Sequence, residues 1–464
     1  MPSFLVCAGC GWAPADDDPY PFRCPNAGTD GTDHVVVRKL DPSGLAWPTD
    51  DSANPFVRCR TLFHSYHLAR ANGMSDQEYV ELVQRLDAEV AAVDGRGFEI
   101  TPFELIDDLS SRLGFDVWVK DETGNVSGSH KARHLFGLLI HLEVVERLGL
   151  PGDAPSRRLA IASCGNAALA AGVVARAGGR ALDVFVPPWA DEKVVARLEE
   201  LGATLTVCER QPGVAGDPTY HALQRSIAAG ELPFTCQGNE NGLAIEGGET
   251  IGYEIASRLG GRSLDRLFVQ VGGGALASAC IQGLGEAHRL GALPKMPRIH
   301  TVQTLGGYPL ARAYDLVAER ILARLAGEGL AGATPPEDEE SRADLILAHA
   351  GAPAVQEELA YAVRHRSEFM WPWEEEPKSV AHGILDDETY DWAAVVGGMV
   401  ATGGYPVAVD EATLEEANEL GRMTTRIDAD HTGTSGLAGL LSVQRAGSIG
   451  GDERVAVLFT GARR

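Results

Sequence analysis

The fold of this chain is decided around the stretch Lys120-Asp-Glu-Thr-Gly-Asn-Val-Ser-Gly-Ser-His-Lys131-Ala-Arg-His134, which follows the apolar run Val117–Val119. The pattern predicts a strand, a polar glycine-bearing turn, and a helix that opens on Lys131 and continues through Leu135–Ile140. A lysine at that position meets the positive end of the helix dipole, which favours the neutral amine. A neutral amine is a nucleophile suited to Schiff-base formation with a carbonyl, although a lysine taken alone is more often a solvated surface residue.

Three further motifs argue against the interpretation of Lys131 as a solvated surface lysine. The first reads Ile161-Ala-Ser-Cys-Gly-Asn-Ala-Ala168 and predicts a strand and then a helix start whose amides form a pocket for a carboxylate. The second reads Leu267-Phe-Val-Gln-Val-Gly-Gly-Gly-Ala-Leu276, where glycines let backbone amides close around a phosphate. The third reads Asp430-His-Thr-Gly-Thr-Ser-Gly-Leu437 and places small hydroxyl residues before an apolar helix. Each motif alone is weak, because such turns are common in α/β proteins.

Taken in this order, the four motifs resemble the fold type II pyridoxal-phosphate enzymes, the superfamily of threonine synthase, threonine dehydratase, cysteine synthase and the tryptophan synthase β-subunit. The resemblance spans roughly residues 98–440. It implies pyridoxal 5′-phosphate as the cofactor, a small amino acid as the substrate and, as is common in relatives, a homodimer. It also implies that Lys131 forms the Schiff base, with His130 beside it in a pattern similar to the β-subunit's Ala-His-Lys.

The same resemblance implies roles for the other motifs. Asn166 would meet the phenolic oxygen of the cofactor, and the residues around it would hold the substrate carboxylate: Ser163, Cys164, Gly165 and Ala167. The phosphate would lie on the glycine loop formed by Gly272, Gly273, Gly274 and Ala275. The hydroxyl of Thr434 or Ser435 would meet the pyridine nitrogen.

A histidine is a further candidate for the site. Ser379-Val-Ala-His-Gly-Ile384 resembles a family step whose Gly-Ile turn approaches the cofactor ring. This makes His382 a candidate acid or substrate ligand, with a purely structural histidine as the alternative.

The N-terminal segment carries Cys7, Cys10 and Cys24, with Cys7 and Cys10 spaced as in a zinc knuckle. Tetrahedral zinc requires four ligands, and His34 is the first candidate for the fourth, with Asp30 or Asp33 behind it. The alternative is a relic knuckle that no longer binds metal. Some threonine synthases begin with a similar ribbon, so the resemblance implies a structural and not a catalytic zinc.

Length, composition and charge limit the classes of protein to which the chain can belong. The chain has 464 residues, of which 44% are hydrophobic, enough for two domains with their own cores. Its net charge of −25 argues against binding to nucleic acid or to an anionic membrane surface. The sequence has no apolar run of about 18 residues and no basic-then-apolar leader, which predicts a cytoplasmic protein. The eight cysteines are too scattered for a disulfide framework.

The expected architecture is α/β: two open domains with parallel sheets and a small zinc-ribbon-like segment at the N-terminus. Short apolar runs alternate with helices from Leu159–Ala162 onward, which predicts βαβ units. We assign residues 1–45 to the ribbon, 46–114 with 216–464 to the large cofactor-binding domain, and 115–215 to a small mobile domain. The acidic, Pro- and Gly-rich region 325–342 is expected to be a solvated excursion.

The expected chemistry is abstraction of the α-proton by Lys131, followed by β- or β,γ-elimination or replacement. A threonine synthase-like reaction, a serine or threonine dehydratase, and a β-replacement enzyme of a specialised pathway all fit these residues. A non-catalytic protein that binds pyridoxal phosphate or zinc is a further alternative. His130, Ala132 and Cys164 depart from the usual family residues, so the sequence does not choose among the amino-acid substrates.

Overall fold

The computed structural model describes residues 1–152, 156–210, 216–332 and 334–463. The chain folds into two compact units. The first unit comprises residues 1–25, 35–101 and 124–254, and the second comprises residues 26–34, 102–123 and 255–464. Among the described residues, none of the helices is long and apolar enough to cross a membrane.

The strands are β1 Ser3–Cys7, β2 Val36–Leu40, β3 Phe103–Leu105, β4 Asp116–Asp121, β5 Leu159–Ala162, β6 Leu182–Val186, β7 Thr204–Val207, β8 Leu232–Pro233, β9 Arg266–Gln270, β10 Arg298–Thr304, β11 Pro406–Val409 and β12 Arg454–Phe459. The helices are α1 Pro55–Arg58, α2 His64–Ala71, α3 Asp76–Asp94, α4 Asp107–Leu113, α5 Lys131–Arg147, α6 Asn166–Ala177, α7 Glu192–Glu200, α8 Pro218–Ala228, α9 Ala244–Leu259, α10 Ala275–Arg289, α11 Pro309–Gly327, α12 Glu339–Ala348, α13 Pro353–Arg364, α14 Trp392–Thr402, α15 Glu411–Thr425 and α16 His431–Arg445.

The first unit is built on a four-stranded parallel sheet in the order β7-β6-β5-β8. Helices connect its successive strands, which is the βαβ arrangement that the alternating pattern predicts. The predicted bounds of β5, Leu159–Ala162, are confirmed at both ends. Residues at the carboxyl ends of these strands therefore lie along one edge of the sheet, where the Ser163–Gly165 turn follows β5.

The N-terminal hairpin is anchored in this unit by a buried charge cluster. Strands β1 and β2 pair antiparallel, and Arg38 of β2 is 4% exposed. Its Nε lies 3.1 Å from Oε1 of Glu246 on α9, and its Nη2 donates to Glu249 on the same helix. Two buried carboxylates facing one guanidinium satisfy the charge that burial would otherwise penalise. Glu246 also accepts a hydrogen bond from the backbone N–H of His64.

The second unit is built on a six-stranded sheet in the order β11-β10-β9-β12-β4-β3. Five strands are parallel, and β3 adds an antiparallel edge. Helix α16 lies directly on the sheet because its glycines admit the strands. A Cβ on Gly436 would lie 3.0 Å from the carbonyl oxygen of Phe268, and one on Gly439 would lie 2.3 Å from Val302.

The predicted α/β class with parallel sheets is confirmed. Strand β4, which falls within the predicted small domain 115–215, pairs with β12 in the six-stranded sheet. The limit after residue 215 lies outside the described residues. The division into a large domain and a small mobile domain stays a prediction.

Candidate active site

Lys131 begins α5, as the sequence predicts. The chain enters this helix through a short 3₁₀ turn, Val126–Gly128, in which Ser127 has a φ of 53°. That backbone conformation is rare for a residue other than glycine, and it is held here because Asp94 accepts a 2.9 Å hydrogen bond from the Ser127 N–H. The Sγ of Cys236 lies 4.0 Å from the carbonyl oxygen of Lys131. Lys131 is half-buried and His130 is buried.

Helix α5 is fixed by its contact with α9, a contact that no local sequence pattern reveals. A Cβ on Gly137 would lie 2.9 Å from the Cα of Gly247, so the two backbones touch. Arg133, fully buried, donates to Glu254 at 2.5 Å, to Thr250 at 3.0 Å and to Thr101 at 3.0 Å. These interactions hold the first turn of α5, and with it the backbone that carries Lys131, in one position.

His134 completes the first turn of this helix. Its ring lies against Gly248, where a Cβ would come within 2.2 Å of the ring. Its Nδ1 lies 2.8 Å from the carbonyl oxygen of Ala244. Burial, together with the nearby charge of Lys131, lowers the pKa of His134 to about 3. The imidazole is therefore neutral at physiological pH, and its Nδ1–H donates to that carbonyl.

The turn from Ser163 to Asn166 forms an open helix start in the same unit. Helix α6 begins at Asn166, its N-cap is Gly165, and no side chain caps it. Residues 163–167 are half-exposed, and a Cβ on Gly165 would meet no atom within 4 Å. The first amides of α6 therefore point into accessible space, which suits an anion such as a carboxylate.

The glycine loop in the second unit forms a second uncapped helix start. Helix α10 begins at Ala275, and its N-cap, Gly274, has a φ of 99° that favours glycine. No side chain caps this helix either. Its first amides and the helix dipole favour an anion such as a phosphate.

The segment from residue 382 to residue 391 lies on that glycine loop. Thr389 donates through Oγ1 to the carbonyl oxygen of Gly272 at 2.9 Å, and the N–H of Asp391 donates to the carbonyl oxygen of Gly273 at 3.1 Å. A Cβ on Gly272 would lie 2.2 Å from Oδ2 of Asp386. His382 belongs to the same segment, and it is exposed. The loop is thus covered on one face by a segment that carries acidic side chains.

The hydroxyls of Thr434 and Ser435 are bonded within their own helix. Both residues are fully buried, and they donate to the carbonyl oxygens of Asp430 at 3.2 Å and His431 at 2.8 Å respectively. The half-exposed hydroxyl of this stretch is that of Thr432, which accepts from the N–H of Gly383 at 2.9 Å. Thr432 was missed from the sequence, although it stands in the same motif.

The N-terminal cysteines form a compact cluster. The sulfur of Cys10 lies 3.6 Å from that of Cys24, and the candidate ligand atoms of Cys7, Cys10, Cys24 and His34 all lie within 4.8 Å of one another. Ligands of a tetrahedral zinc ion stand about 3.8 Å apart when the metal–sulfur bonds are about 2.3 Å long. The four predicted residues are therefore close enough together to surround one ion.

Comparison with known proteins decides the family. The model of the pyridoxal-phosphate dependent enzymes matches residues 96–461. The chain belongs to this family. The enzyme is 25% identical to the threonine synthase of Methanosarcina acetivorans over 365 residues, which cover 78% of this chain and 74% of that protein.

Solved structures show the same fold. Threonine deaminase isoform 2 from Solanum lycopersicum matches with a TM-score of 0.53 at 17% identity, covering 84% of the enzyme and 91% of that chain. Diaminopropionate ammonia lyase from Escherichia coli matches with a TM-score of 0.55 at 14% identity, covering 83% and 89%. The fold type II resemblance and the assignment as a pyridoxal-phosphate dependent enzyme of the threonine synthase and dehydratase type are confirmed.

The residues present fit pyridoxal phosphate. Lys131 supplies an amine at a helix start, and α10 supplies an uncapped N-terminus at the end of a parallel strand. The segment of residues 382–391, which covers the glycine loop, leaves no room for a side chain on these glycines. A Cβ on Gly273 would lie 2.9 Å from Tyr390. The glycines therefore serve the packing of this segment as well as the approach of a ligand to the amides.

Proposed function

We propose that this enzyme removes the α-proton of a small amino acid and then eliminates or replaces a substituent on the β- or γ-carbon, as a threonine synthase-like lyase or synthase. The observation that carries the proposal is the placement of Lys131 in the first turn of α5, a turn that α9 fixes through Arg133 and Gly247. A tethered amine in a fixed position is suited to accept a proton from a bound substrate.

The cofactor would be held at both ends by features of this chain. Lys131 would bind its aldehyde carbon, and the amides that follow Gly274 would bind its phosphate. When bound, pyridoxal phosphate supplies an electron sink for the electron pair left on the α-carbon. Lys131 Nζ would hold the α-proton meanwhile, and Asn166 would donate to the phenolic oxygen.

The substrate carboxylate would bind the open start of α6. The uncapped amides after Gly165 favour an anion, and Ser163 adds a hydroxyl. Cys164 stands in this half-exposed turn, at a position where the family resemblance implies a small hydroxyl residue. A thiol is a weaker donor than a hydroxyl, so the amides would carry most of the carboxylate binding.

We assign the hydroxyl at the pyridine nitrogen to Thr432 in place of Thr434 or Ser435. The latter two are fully buried and bonded to helix carbonyls, whereas Thr432 is half-exposed beside Gly383. A neutral hydroxyl there leaves the ring less able to stabilise a long-lived carbanion, which favours prompt loss of a leaving group.

A second candidate function is that of a serine or threonine dehydratase, or of a β-replacement enzyme. The similarity in fold to a threonine deaminase and to a diaminopropionate ammonia lyase supports it, because both names describe enzymes that release ammonia from an amino acid. A non-catalytic protein that binds pyridoxal phosphate or zinc is the remaining alternative. It has less support, because the lysine and the asparagine of the family motif are both present.

A visible absorbance spectrum with added pyridoxal phosphate tests the proposal. We expect a visible band from the lysine-bound cofactor that changes with one of serine, threonine, O-phosphohomoserine, O-phosphoserine or 2,3-diaminopropionate. Lys131→Ala should abolish the band and lower turnover by about 1000-fold. The matched control Lys193→Ala, at an exposed lysine of α7, should change neither. A wild-type protein that stays colourless with added pyridoxal phosphate would contradict the proposal and support the non-catalytic alternative.

We propose further that Cys7, Cys10, Cys24 and His34 bind a structural zinc ion. Support comes from their mutual spacing and from Asp30, whose Oδ1 lies 3.1 Å from Nε2 of His34 and would orient the ring. Asp33 is engaged elsewhere, because its carboxylate faces Arg366 at 3.4 Å.

Elemental analysis tests the zinc proposal. We expect one zinc ion per chain, and we expect Cys10→Ser to lose it and to lower Tm by about 5 °C. Cys208→Ser, at a half-exposed cysteine outside the cluster, should keep the metal. Purified protein without zinc, whose Tm does not respond to added zinc, would identify the knuckle as a relic. The homodimer and the cytoplasmic location also stay predictions.

A further inference from the structure

Arg38 of the N-terminal hairpin lies on one face of α9. Its guanidinium faces Glu246 at 3.1 Å, donates to Glu249, and donates to the hydroxyl of Tyr253 at 3.3 Å. These three partners are spaced three and four residues apart, so they follow one another along one side of the helix. All four side chains are buried, and the hydroxyl of Tyr253 also donates to Glu249 at 2.8 Å. The hairpin is therefore bound to α9 by a network of buried polar groups.

The adjoining face of α9 holds α5. Gly247, Thr250 and Glu254 repeat the same spacing, displaced by one position from the residues that bind the hairpin. One position along a helix is a rotation of about 100°, so the two faces are neighbours. The backbone of Gly247 touches α5, while Thr250 and Glu254 accept from Arg133 at 3.0 Å and 2.5 Å. Helix α9 therefore contacts the hairpin on one face and the first turn of α5 on the next.

Packing of the N-terminal segment reinforces this arrangement. The turn before α9 passes so close to β2 that a Cβ on Gly242 would overlap the carbonyl group of Val36. The N–H of Gly242 donates to the carbonyl oxygen of Phe22 at 3.1 Å. The ring of Phe22 also lies edge-on to His141 of α5, with 5.8 Å between the ring centroids. Because close-packed interiors transmit strain, a hairpin that moved would shift α9 and α5.

We infer that Arg38 is a positioning residue for the reaction, which holds α9 where α9 fixes the first turn of α5 and the amine of Lys131. This inference rests on the proposed function of Lys131, and it gives the N-terminal hairpin a part in that function. Arg38 acts through α9 and not on the substrate. Replacing it removes three polar contacts from a buried cluster, and a shift of about 0.5 Å is enough to misplace a positioned amine.

The first experiment measures the reactivity of the Lys131 amine in the cofactor-free protein. Trinitrobenzenesulfonate modifies amines, and peptide mass spectrometry gives the labelling rate of Lys131 relative to that of the exposed Lys193. Arg38→Gln should raise this ratio about fivefold, because the half-buried amine becomes more accessible when the first turn of α5 is released. Arg38→Lys keeps the charge but not the planar fork, so it should raise the ratio about twofold.

The matched control is Arg266→Gln in the second unit. Arg266 is also buried between two carboxylates, Glu340 of α12 at 2.9 Å and Glu453 at 2.6 Å. This variant should lose a comparable amount of resistance to urea and leave the labelling ratio within about 1.5-fold. All variants are labelled at a temperature at which circular dichroism shows them folded.

Two results of the labelling would overturn the inference. One is an equal rise of the ratio in Arg266→Gln, because the ratio would then report a general loss of stability. The other is a ratio that stays at the wild-type value in the Arg38 variants, because the hairpin would then stabilise the fold without positioning Lys131. If Arg38→Gln does not fold, the result for Arg38→Lys decides between the two cases.

The second experiment separates positioning from substrate binding. With the amino acid that changes the visible band, Arg38→Gln should lower kcat about tenfold and leave KM within about twofold, because the carboxylate would bind the start of α6 and not α9. Arg38→Lys should recover most of kcat. A raised KM with kcat unchanged would contradict the inference. The labelling needs no cofactor, so a protein that forms no visible band would refute the proposed function while the labelling still tests the role of Arg38.

Discussion

The helix start after β5 and the helix start after β9 have similar local sequences, but they differ in the residues that pack against them. Both follow a parallel strand, both have glycine at the N-cap, and neither carries a side-chain cap. A Cβ on Gly165 would meet nothing within 4 Å, whereas one on Gly274 would lie 2.9 Å from Thr389 and 3.1 Å from Asp391. The first helix start is open and the second is lined by an acidic segment. Local sequence therefore creates an uncapped helix start, whereas the chain packed upon it decides how much space is left around its amides.

In this comparison the largest expected effect comes from alanine at the N-cap glycine Gly274, with Gly165 as the matched position. Gly274→Ala should weaken pyridoxal phosphate binding by about 100-fold, because a φ of 99° strains alanine and its Cβ displaces residues 389–391. Gly165→Ala should leave this affinity within about twofold, since Gly165 has a φ of −135° and open space around it. Titration of cofactor absorbance measures both. Equal losses of affinity for pyridoxal phosphate in the two variants would show that the covered and the open helix start do not differ in this respect.

The next effect concerns the contact that fixes Lys131. Gly247→Ala should lower the free energy of unfolding by about 2 kcal/mol and reduce kcat, because its Cβ would lie 2.1 Å from the carbonyl oxygen of Arg133. The matched change Gly397→Ala, within α14 and with nothing within 4 Å, should raise that free energy by about 0.5–1 kcal/mol. Urea unfolding measures both. A tolerated Gly247→Ala would mean that α5 does not depend on α9 for its position.

A smaller effect separates the three hydroxyls of the final helix start. Thr432→Ala should lower kcat about tenfold, the value of one hydrogen bond of about 1.4 kcal/mol to the cofactor ring. Thr432→Ser should restore it, because the hydroxyl is retained. Ser435→Ala should instead lower stability by about 1 kcal/mol with kcat unchanged, because its hydroxyl serves the carbonyl of His431. If Ser435→Ala lowered kcat and Thr432→Ala lowered only the stability, Ser435 would be the residue at the pyridine nitrogen.

The smallest effect, counted per residue, is a difference in acid sensitivity between the two units. Burial lowers the pKa of His64 and His134 to about 3 and that of His141 to about 4 in the first unit, and that of His300 to about 3 in the second. The folded state keeps these rings neutral while the unfolded chain binds protons below about pH 6.5, so stability falls as the pH falls below that value. At pH 6 each of these histidines should lower the free energy of unfolding by about 1 kcal/mol.

Hydrogen exchange resolved by peptide at pH 7 and pH 6 measures this difference. After correction for the intrinsic exchange rates, the first unit should lose more protection than the second. His300→Gln should flatten the pH dependence of the second unit alone, because glutamine does not titrate. Equal losses of protection in both units would contradict the assignment.

Much of the fold was predictable because its signals are local. The limits of β5 follow from an apolar run, and the start of α6 follows from the small-residue turn after that run. The helix that begins at Lys131 was predicted in the same way. Region 325–342, predicted as a solvated excursion, is mostly exposed in its described residues. It links the end of α11 to the start of α12, which Asp338 caps by accepting from the N–H of Ser341.

The sequence by itself determined the family, the helix that begins at Lys131 and the positions of the two uncapped helix starts, because each depends on residues that are neighbours in the chain. The tertiary structure alone decided which hydroxyl of Thr432, Thr434 and Ser435 is accessible, since burial depends on the sheet beneath α16. It also decided that Gly247 touches α5 and that Asp386 lies on Gly272, across more than 100 residues of chain in each case. Such long-range packing brings distant residues together in a way that no local pattern encodes.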